Sequence, residues 1–211
     1  MTPADRASEL RRFWFGSLPL TPARLEERMR FWFAGDETAE ERRRRDEECR
    51  ARFESLVADA AQGRLASWAG SPRRRLALIL LLDQLPRNLY RGTARAFATD
   101  GEALALALSG IQSGADAALD PAERLFFYMP LQHAESTEAQ EESIAAYRRL
   151  LAEVPEALRP AFLSTLKYAE EHRDLIRRFG RFPHRNRILG RPSTPEERAY
   201  LAGAPHSFGQ A

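Results

Sequence analysis

The side chains best suited to chemistry are concentrated near the carboxyl end of the chain. Residues 173–191 contain seven arginines and one acidic residue, Asp174, which gives this stretch a net charge of +6, whereas the whole chain carries only +2. A local excess of guanidinium groups attracts anions. The sequence therefore predicts an anion-binding site in this stretch.

The centre of the basic stretch is typical of a break between helices. Gly180 can adopt a positive φ and Pro183 ends a helix, while Phe182 can anchor the segment against a core. Guanidinium forks bind carboxylate or phosphate in a bidentate way. The ligand-binding candidates here are Arg181, His184, Arg185 and Asn186. The alternative is a solvated basic turn whose arginines pair with acids from other helices.

A second group of candidates lies in the segment FFYMPLQHAE (126–135). We predict that Pro130 breaks or kinks its helix, so that His133 and Glu135 lie in a loop where their side chains can converge. A histidine positioned by a carboxylate is suited to general-base catalysis or to metal binding. An equally good interpretation is a turn that is pinned by side-chain hydrogen bonds.

His172 is the third catalytic candidate, after His133 and Glu135. It falls on the apolar face of a predicted long helix, where a histidine is more often a satisfied core residue than a catalyst. Its neighbours four positions away are Tyr168 and Ile176, so it lacks the second ligand of a zinc-binding HExxH helix. The spacing therefore predicts no metal site, and no cofactor can be named.

The third group comprises Asp83, Arg87 and Asn88, which follow an almost entirely apolar run, residues 76–82. These polar side chains either line a cleft and contact a ligand, or the acid pairs with a nearby arginine, as buried acids usually do. We predict that the preceding helix ends at Leu85, because the residue before a proline disfavours helical geometry.

The composition is that of an ordinary globular domain, and we predict a single domain over residues 1–211. The chain is 44% apolar and 29% charged, and 31 of its 32 basic residues are arginine, so only the clustering of arginine is informative. The longest apolar run has seven residues, far below the ~20 that span a bilayer. A single cysteine, Cys49, excludes an internal disulfide, and we expect a cytoplasmic protein with no membrane partner.

The elements that must position these side chains are helices. Apolar residues recur at helical spacing along most of the chain, and no segment alternates as a strand does, which predicts an all-α fold of about eight to ten helices. Helix starts are marked at Thr99, at Asp120-Pro121 and at Ser193-Thr194-Pro195. A long helix that begins near Pro160 should end at Gly180.

Three segments together resemble a bacterial family known as domain of unknown function 924. They are LILLLDQLPRNLYRGTARAFATD (78–100), FFYMPLQHAE (126–135) and HRDLIRRFGRFPHRN (172–186), and FWFG (13–16) is similar too. The resemblance implies a compact array of antiparallel helix pairs like a tetratricopeptide superhelix. It implies no activity.

Three functions compete on these observations. The first is a site between helices that binds or turns over a small anionic molecule, a phosphate or carboxylate compound, with His133 transferring a proton. The second is a tetratricopeptide-like scaffold that binds a peptide or protein partner. The third is a metal-dependent hydrolase, although no known ligand spacing is present. Nucleic-acid binding is disfavoured, because the charge of the whole chain is nearly balanced.

Overall fold

The computed structural model describes residues 3–33 and 37–203, so both termini of the predicted domain lie outside the described residues. Within these ranges the chain forms ten α-helices and no strand, which confirms the predicted all-α class. None of these helices is long and apolar enough to cross a bilayer. The helices are α1 (Pro3–Phe15), α2 (Pro22–Phe33), α3 (Ala39–Ala61), α4 (Pro72–Ile79), α5 (Leu85–Leu89), α6 (Asp100–Gln112), α7 (Pro121–His133), α8 (Thr137–Glu153), α9 (Arg159–Phe179) and α10 (Pro195–Ala202).

Most of the predicted helix ends are confirmed, because they depend on local chemistry. Asp120 caps α7 in a reciprocal capping box, and Thr194 does the same for α10. Gly180 ends α9 in the left-handed conformation, with φ of 71°. The predicted capping box at Thr99 is wrong: the Thr99 hydroxyl does not cap α6 and donates instead to the carbonyl of Leu82 at 2.6 Å.

The predicted helix end at Leu85 is also wrong. A π turn over Leu80–Gln84 joins α4 to α5, and the helix continues through Pro86 to Leu89. Proline lacks the N–H that would have bonded the Leu82 carbonyl four residues earlier. The Thr99 hydroxyl bonds that carbonyl in its place, which removes the cost of leaving it unpaired in the core.

Pro130 does not break its helix either, because α7 runs through it to His133. The carbonyls at the end of α7 are bonded by a side chain of the next helix. The amide of Gln140 donates to the carbonyls of Gln132 at 2.7 Å and Ala134 at 2.9 Å. His133 therefore occupies the last turn of a helix rather than a loop.

Helices α7, α8 and α9 pack side by side and alternate in direction. The start of α7 meets the end of α8 in the ion pair of Arg124 with Glu153, while Gln140 at the start of α8 contacts the end of α7. Helices α8 and α9 are linked in the same sense by the pairs Arg148–Glu170 and Arg177–Glu141. The tetratricopeptide-like superhelix that the resemblance implies stays a prediction.

One apolar core runs through α1 to α9, and aromatic rings join its first helices to α7. The rings of Trp14, Phe15, Trp32 and Phe33 all surround the fully buried Phe126. The sequence Phe-Trp-Phe occurs twice, at residues 13–15 and 31–33, and both triplets thus meet on one ring of α7, the helix that carries His133. Full burial of an aromatic ring contributes about 1.5–3 kcal/mol, so the buried rings of this cluster hold the site helix firmly, while Phe33 stays 45% exposed.

Gly110 of α6 tests how closely these helices pack. A Cβ at this position would meet Phe127 of α7, and would lie 2.9 Å from the side chain of Arg75. We expect Gly110→Ala to lower the free energy of unfolding by about 1–3 kcal/mol, because the core would be overpacked. Urea denaturation followed by circular dichroism measures this.

Gly101, in the same helix, is the matched control, since a Cβ there meets nothing within 4 Å. Gly101→Ala should raise the free energy of unfolding by about 0.4–1 kcal/mol, because alanine lowers the conformational entropy of the unfolded chain. Equal effects of the two substitutions would contradict the close packing of α6 on α7.

Candidate functional site

The centre of the site is Asp83, a fully buried carboxylate in the π turn. Its Oδ1 atom accepts a hydrogen bond from Nδ1 of His133 at 2.7 Å and lies 3.2 Å from Nη1 of Arg87. Burial by itself would raise the pKa of Asp83, but the Arg87 charge and the His133 contact outweigh it and hold this pKa well below its ordinary value of 3.8. Asp83 is therefore ionised, and π turns of this kind are frequent at functional sites.

His133 is positioned by Asp83 and not by Glu135, so the predicted pairing with Glu135 is wrong. Because α7 continues past Pro130, the imidazole points back across the core to the π turn. Burial, and then the charge of Arg87, lower the pKa of His133 below 6.5, although Asp83 opposes this. At neutral pH the ring is therefore uncharged, with its proton on Nδ1 facing Asp83.

Arg87 connects this pair to the start of α6. Its guanidinium donates to both carboxylate oxygens of Asp100, at 2.8 Å and 2.9 Å, and to the carbonyl of Asp83 at 2.7 Å. The alternative that Asp83 pairs with a nearby arginine is confirmed: the partner is Arg87, whereas Arg91 pairs with Asp46. A buried bidentate fork of this kind fixes both partners in orientation.

Arg185 enters the site from the segment that follows α9. Its guanidinium lies between two aromatic rings, 4.7 Å from the centroid of Phe97 and 4.5 Å from that of Phe182. Only 6% of the residue is exposed, and its one carboxylate contact, from Nη1 to Asp100, is long at 3.4 Å. Burial, followed by repulsion from Arg87, lowers the pKa of Arg185 to about 10.

His172 and His184 lie beside this group and are uncharged at neutral pH. The ring of His172 is centred 6.3 Å from that of His133 and 5.4 Å from that of Phe182. Its Nδ1 lies 2.7 Å from the carbonyl of Tyr168, and burial lowers its pKa to about 3. Burial and the charge of Arg185 lower the pKa of His184 to about 4.

Glu135 holds the segment after α9 against the end of α7. It accepts hydrogen bonds from the backbone N–H of Phe182 at 2.8 Å and from both terminal nitrogens of Arg191, at 2.6 Å and 2.9 Å. Its pKa is lowered, because these contacts outweigh the effect of partial burial. The observed contacts anchor Phe182 and Arg185, and a catalytic part for Glu135 stays a prediction.

Five of the residues just described, Phe97, Asp100, His133, Glu135 and Arg185, line a cleft of about 400 Å³, which we call the site cleft. Its walls come from the start of α6, the end of α7 and the segment after α9. The lining residues are Ala94, Phe97, Ala98, Asp100, Gly101, Leu104, His133, Ala134, Glu135, Ser136, Arg185 and Leu189. Three stretches far apart in sequence thus meet here.

Six of the seven predicted ligand-binding residues, all but Arg185, lie outside this lining. Asp83, Arg87 and His184 lie behind it, and the other three are engaged elsewhere. Arg181 donates to both oxygens of Glu197, at 2.6 Å and 2.8 Å, and Asn186 donates to Glu197 and accepts from Arg191. Asn88 donates to Asp46 and lines a different cleft, between α3 and α5. Their amide and guanidinium groups are thus used in tertiary contacts, and ligand binding by them stays a prediction.

Sequence reasoning missed Asp100, Phe97 and Gly101. Asp100 was interpreted only as part of a helix start, and its fork with Arg87 joins residues from different helices. The signal that could have found it is an acid 13 residues after Arg87, at the start of the next predicted helix. No group of three or more His, Cys, Asp or Glu side chains with metal-binding geometry occurs in residues 3–33 and 37–203.

Comparison with known proteins agrees with this fold. Residues 10–204 match the family described as bacterial protein of unknown function, DUF924. The chain belongs to the DUF924 family. A solved structure of a protein of unknown function from Agrobacterium tumefaciens is 37% identical, with a TM-score of 0.78, over 96% of this chain and 99% of that one. A search of curated proteins gave no match.

Asp83 should be the most sensitive polar position of this DUF924 chain. We expect Asp83→Ala to lower the free energy of unfolding by about 3–5 kcal/mol, because a buried pair loses one partner. Chemical denaturation measures the loss. Glu40→Ala, which breaks an exposed pair with Arg44, should leave the stability unchanged within error. Equal stability of both variants would refute the part that Asp83 plays.

Buried neutral histidines should make the DUF924 fold sensitive to acid. In the unfolded chain His172 protonates near 6.5, whereas in the folded chain its pKa is about 3, so the unfolded state binds more protons between these values. Stability therefore falls as pH drops below 6.5, by about 1.4 kcal/mol per pH unit for each such proton.

The variant His172→Gln removes one of these protons. The slope of unfolding free energy against pH between about 6 and 4.5 should fall by about 1.4 kcal/mol per pH unit, the contribution of one proton. Denaturation at several pH values measures it. Lys167→Gln, on the exposed face of the same helix, is the control and should keep the slope of the unsubstituted chain.

Proposed function

We propose that the chain binds a small anionic molecule, a phosphate or a carboxylate compound, in the site cleft, with His133 as its proton acceptor. The observation that carries this proposal is Arg185. It is almost completely buried and lines the cleft, yet its Nε atom has no hydrogen-bond partner among the described residues. Buried guanidinium donors are normally satisfied, so the unpaired Nε shows that Arg185 has hydrogen-bonding capacity that the described residues do not use, and an oxyanion bound against this guanidinium would use it.

The carboxylates that line the same cleft do not oppose an anion strongly. Asp100 accepts hydrogen bonds from both terminal nitrogens of Arg87, and Glu135 accepts them from both terminal nitrogens of Arg191. Each acid is thus neutralised by its own arginine. Arg185 is left with a single long contact, so the unused hydrogen-bonding capacity at this place is that of a donor.

The start of α6 adds a second favourable feature. Asp100 and Gly101, the first residues of this helix, line the cleft, and no side chain caps the helix, because the hydroxyl of Thr99 bonds Leu82. The first turn of a helix presents free N–H groups and a partial positive charge. Phosphate and carboxylate groups bind readily at such a place when a second donor is present.

The rival functions have less support. A cleft of about 400 Å³ has the size of a small-molecule site and not of a peptide groove. The arginines of the basic stretch are mostly paired with acids, which disfavours a phosphate-backbone footprint for nucleic acid. These pairs are Arg173–Asp174, Arg177–Glu141, Arg178–Glu196, Arg181–Glu197 and Arg191–Glu135.

Titration with inorganic phosphate and with acetate, followed by calorimetry, tests the proposal. Arg185→Met keeps an apolar stem between Phe97 and Phe182 but removes the guanidinium, and we expect at least about tenfold weaker binding of the anion. Gly101→Leu should abolish binding by filling the cleft, since the side chain would project into open space. Arg178→Met removes the same charge from an exposed position and should bind as the unsubstituted chain does.

Two outcomes would overturn the proposal. One is that neither phosphate nor acetate binds at millimolar concentration. The other is equal affinity in the Arg185→Met and Arg178→Met variants, which would assign the binding to general surface charge.

A further inference from the structure

The two nitrogens of His133 face different surroundings. Nδ1 is bonded to Asp83, which is fully buried, while part of the ring reaches the site cleft. Among the described residues, His133 makes no other hydrogen bond, so Nε2 is bonded to none of them. The ring atoms remote from Asp83 include Nε2, so this nitrogen is the one available to a ligand.

The protonation of this ring follows from its partner. An ionised carboxylate can only accept a hydrogen bond, so Nδ1 must carry the proton that lies between His133 and Asp83. In a neutral imidazole the other nitrogen then has a lone pair and no proton. Burial and the charge of Arg87 keep this ring neutral at physiological pH. Nε2 is consequently an acceptor on a ring that lines the cleft.

We propose that the ligand of the site cleft is a small oxyanion that also carries a hydroxyl proton, which it donates to Nε2 of His133. The proton belongs to the acid group itself or to a hydroxyl on a neighbouring carbon, as in a hydroxycarboxylate. This inference rests on the proposed function, because Arg185 and the start of α6 hold the anionic part. The site rejects an anion of similar shape that has no proton, because two lone pairs would then face each other.

The same arrangement places a proton acceptor where turnover would need one. A histidine whose Nδ1 is fixed by a carboxylate accepts protons through Nε2 in many hydrolytic and isomerising enzymes. The proton would move from the hydroxyl oxygen of the ligand to Nε2, which leaves an alkoxide on the ligand. The positive charges of Arg185 and of the imidazolium bonded to Asp83 would stabilise this alkoxide. The substrate class is therefore the same for binding and for proton abstraction.

Other groups around His133 influence its charge and must be considered with it. They are Asp83 in the π turn, Arg87 in α5, Asp100 in α6, His172 in α9, and His184 and Arg185 in the segment after α9. The carboxylates favour a protonated ring, whereas Arg87 and burial oppose it. The balance keeps Nε2 unprotonated until the pH falls below 6.5.

Two matched pairs of probes test the inference on the full chain at about pH 7. Inorganic phosphate and glycolate carry a hydroxyl proton, while sulfate and acetate do not. Calorimetric titration should give at least about tenfold tighter binding of phosphate than of sulfate, or of glycolate than of acetate. Which pair binds distinguishes a phosphoryl from a carboxyl ligand.

The variant Asp83→Asn provides a more specific test. An asparagine amide can donate to Nδ1, which moves the ring proton to Nε2 and turns the acceptor into a donor. The preference for phosphate over sulfate should then shrink at least about tenfold, or reverse. Long-range proton–nitrogen NMR spectra of the imidazoles report the tautomer directly. His133→Gln, whose amide can rotate to donate, should lose the preference in the same way and serves if Asp83→Asn does not fold.

Lower pH gives an independent readout. Below the pKa of His133, which lies under 6.5, Nε2 gains a proton, so the affinity for sulfate should rise as the pH is lowered through that pKa.

The outcomes separate this inference from the proposed function. Equal binding of both members of each pair, abolished by Arg185→Met, would leave the anion site standing and end the inference. An unchanged preference in folded Asp83→Asn with a shifted tautomer would also end it. Binding of no probe by the unsubstituted chain would overturn the proposed function itself.

Discussion

The constraint on which the site depends is the burial of one carboxylate. Asp83 has no access to water, and an uncompensated charge in the core costs several kcal/mol. Arg87 and His133 must therefore stay beside it, and Arg87 in turn holds Asp100. In this way a single charge in the π turn fixes the ends of α5, α6 and α7 relative to one another. The walls of the site cleft are parts of those same elements.

The charges around the cleft sum to about zero, but not every hydrogen-bond donor and acceptor there has a partner. Asp83 and Asp100 face Arg87 and Arg185, and the three neighbouring imidazoles are neutral. Recognition of a ligand must therefore come from short-range donors and acceptors, since the long-range attraction of a neutral cluster is small. The +6 charge of the basic stretch misleads on this point. Most of its arginines are paired with acids that lie elsewhere in the sequence, so the excess disappears in the folded chain.

How much the sequence reveals depends on how local the interactions are. The all-α class and the helix starts at Asp120 and Thr194 are predictable, because caps act within three or four residues. The ends at Pro86 and Pro130 are not, because the bonds that compensate for each proline come from distant side chains, Thr99 and Gln140. The members of the site were predicted better than their pairings. An error at Pro130 was enough to assign Glu135 to His133 in place of Asp83.

A network whose only task were stability would be expected to use all of its polar atoms. Around Asp83 most are used: both oxygens of Asp100 are bonded, and Nδ1 of His133 is directed to a buried acceptor. Among the exceptions are Nε2 of His133 and Nε of Arg185, neither of which bonds a described residue. Both side chains line the same cleft. A buried donor and an acceptor left over beside one hollow cost stability, and a ligand that carries both an oxyanion and a hydroxyl proton removes that cost.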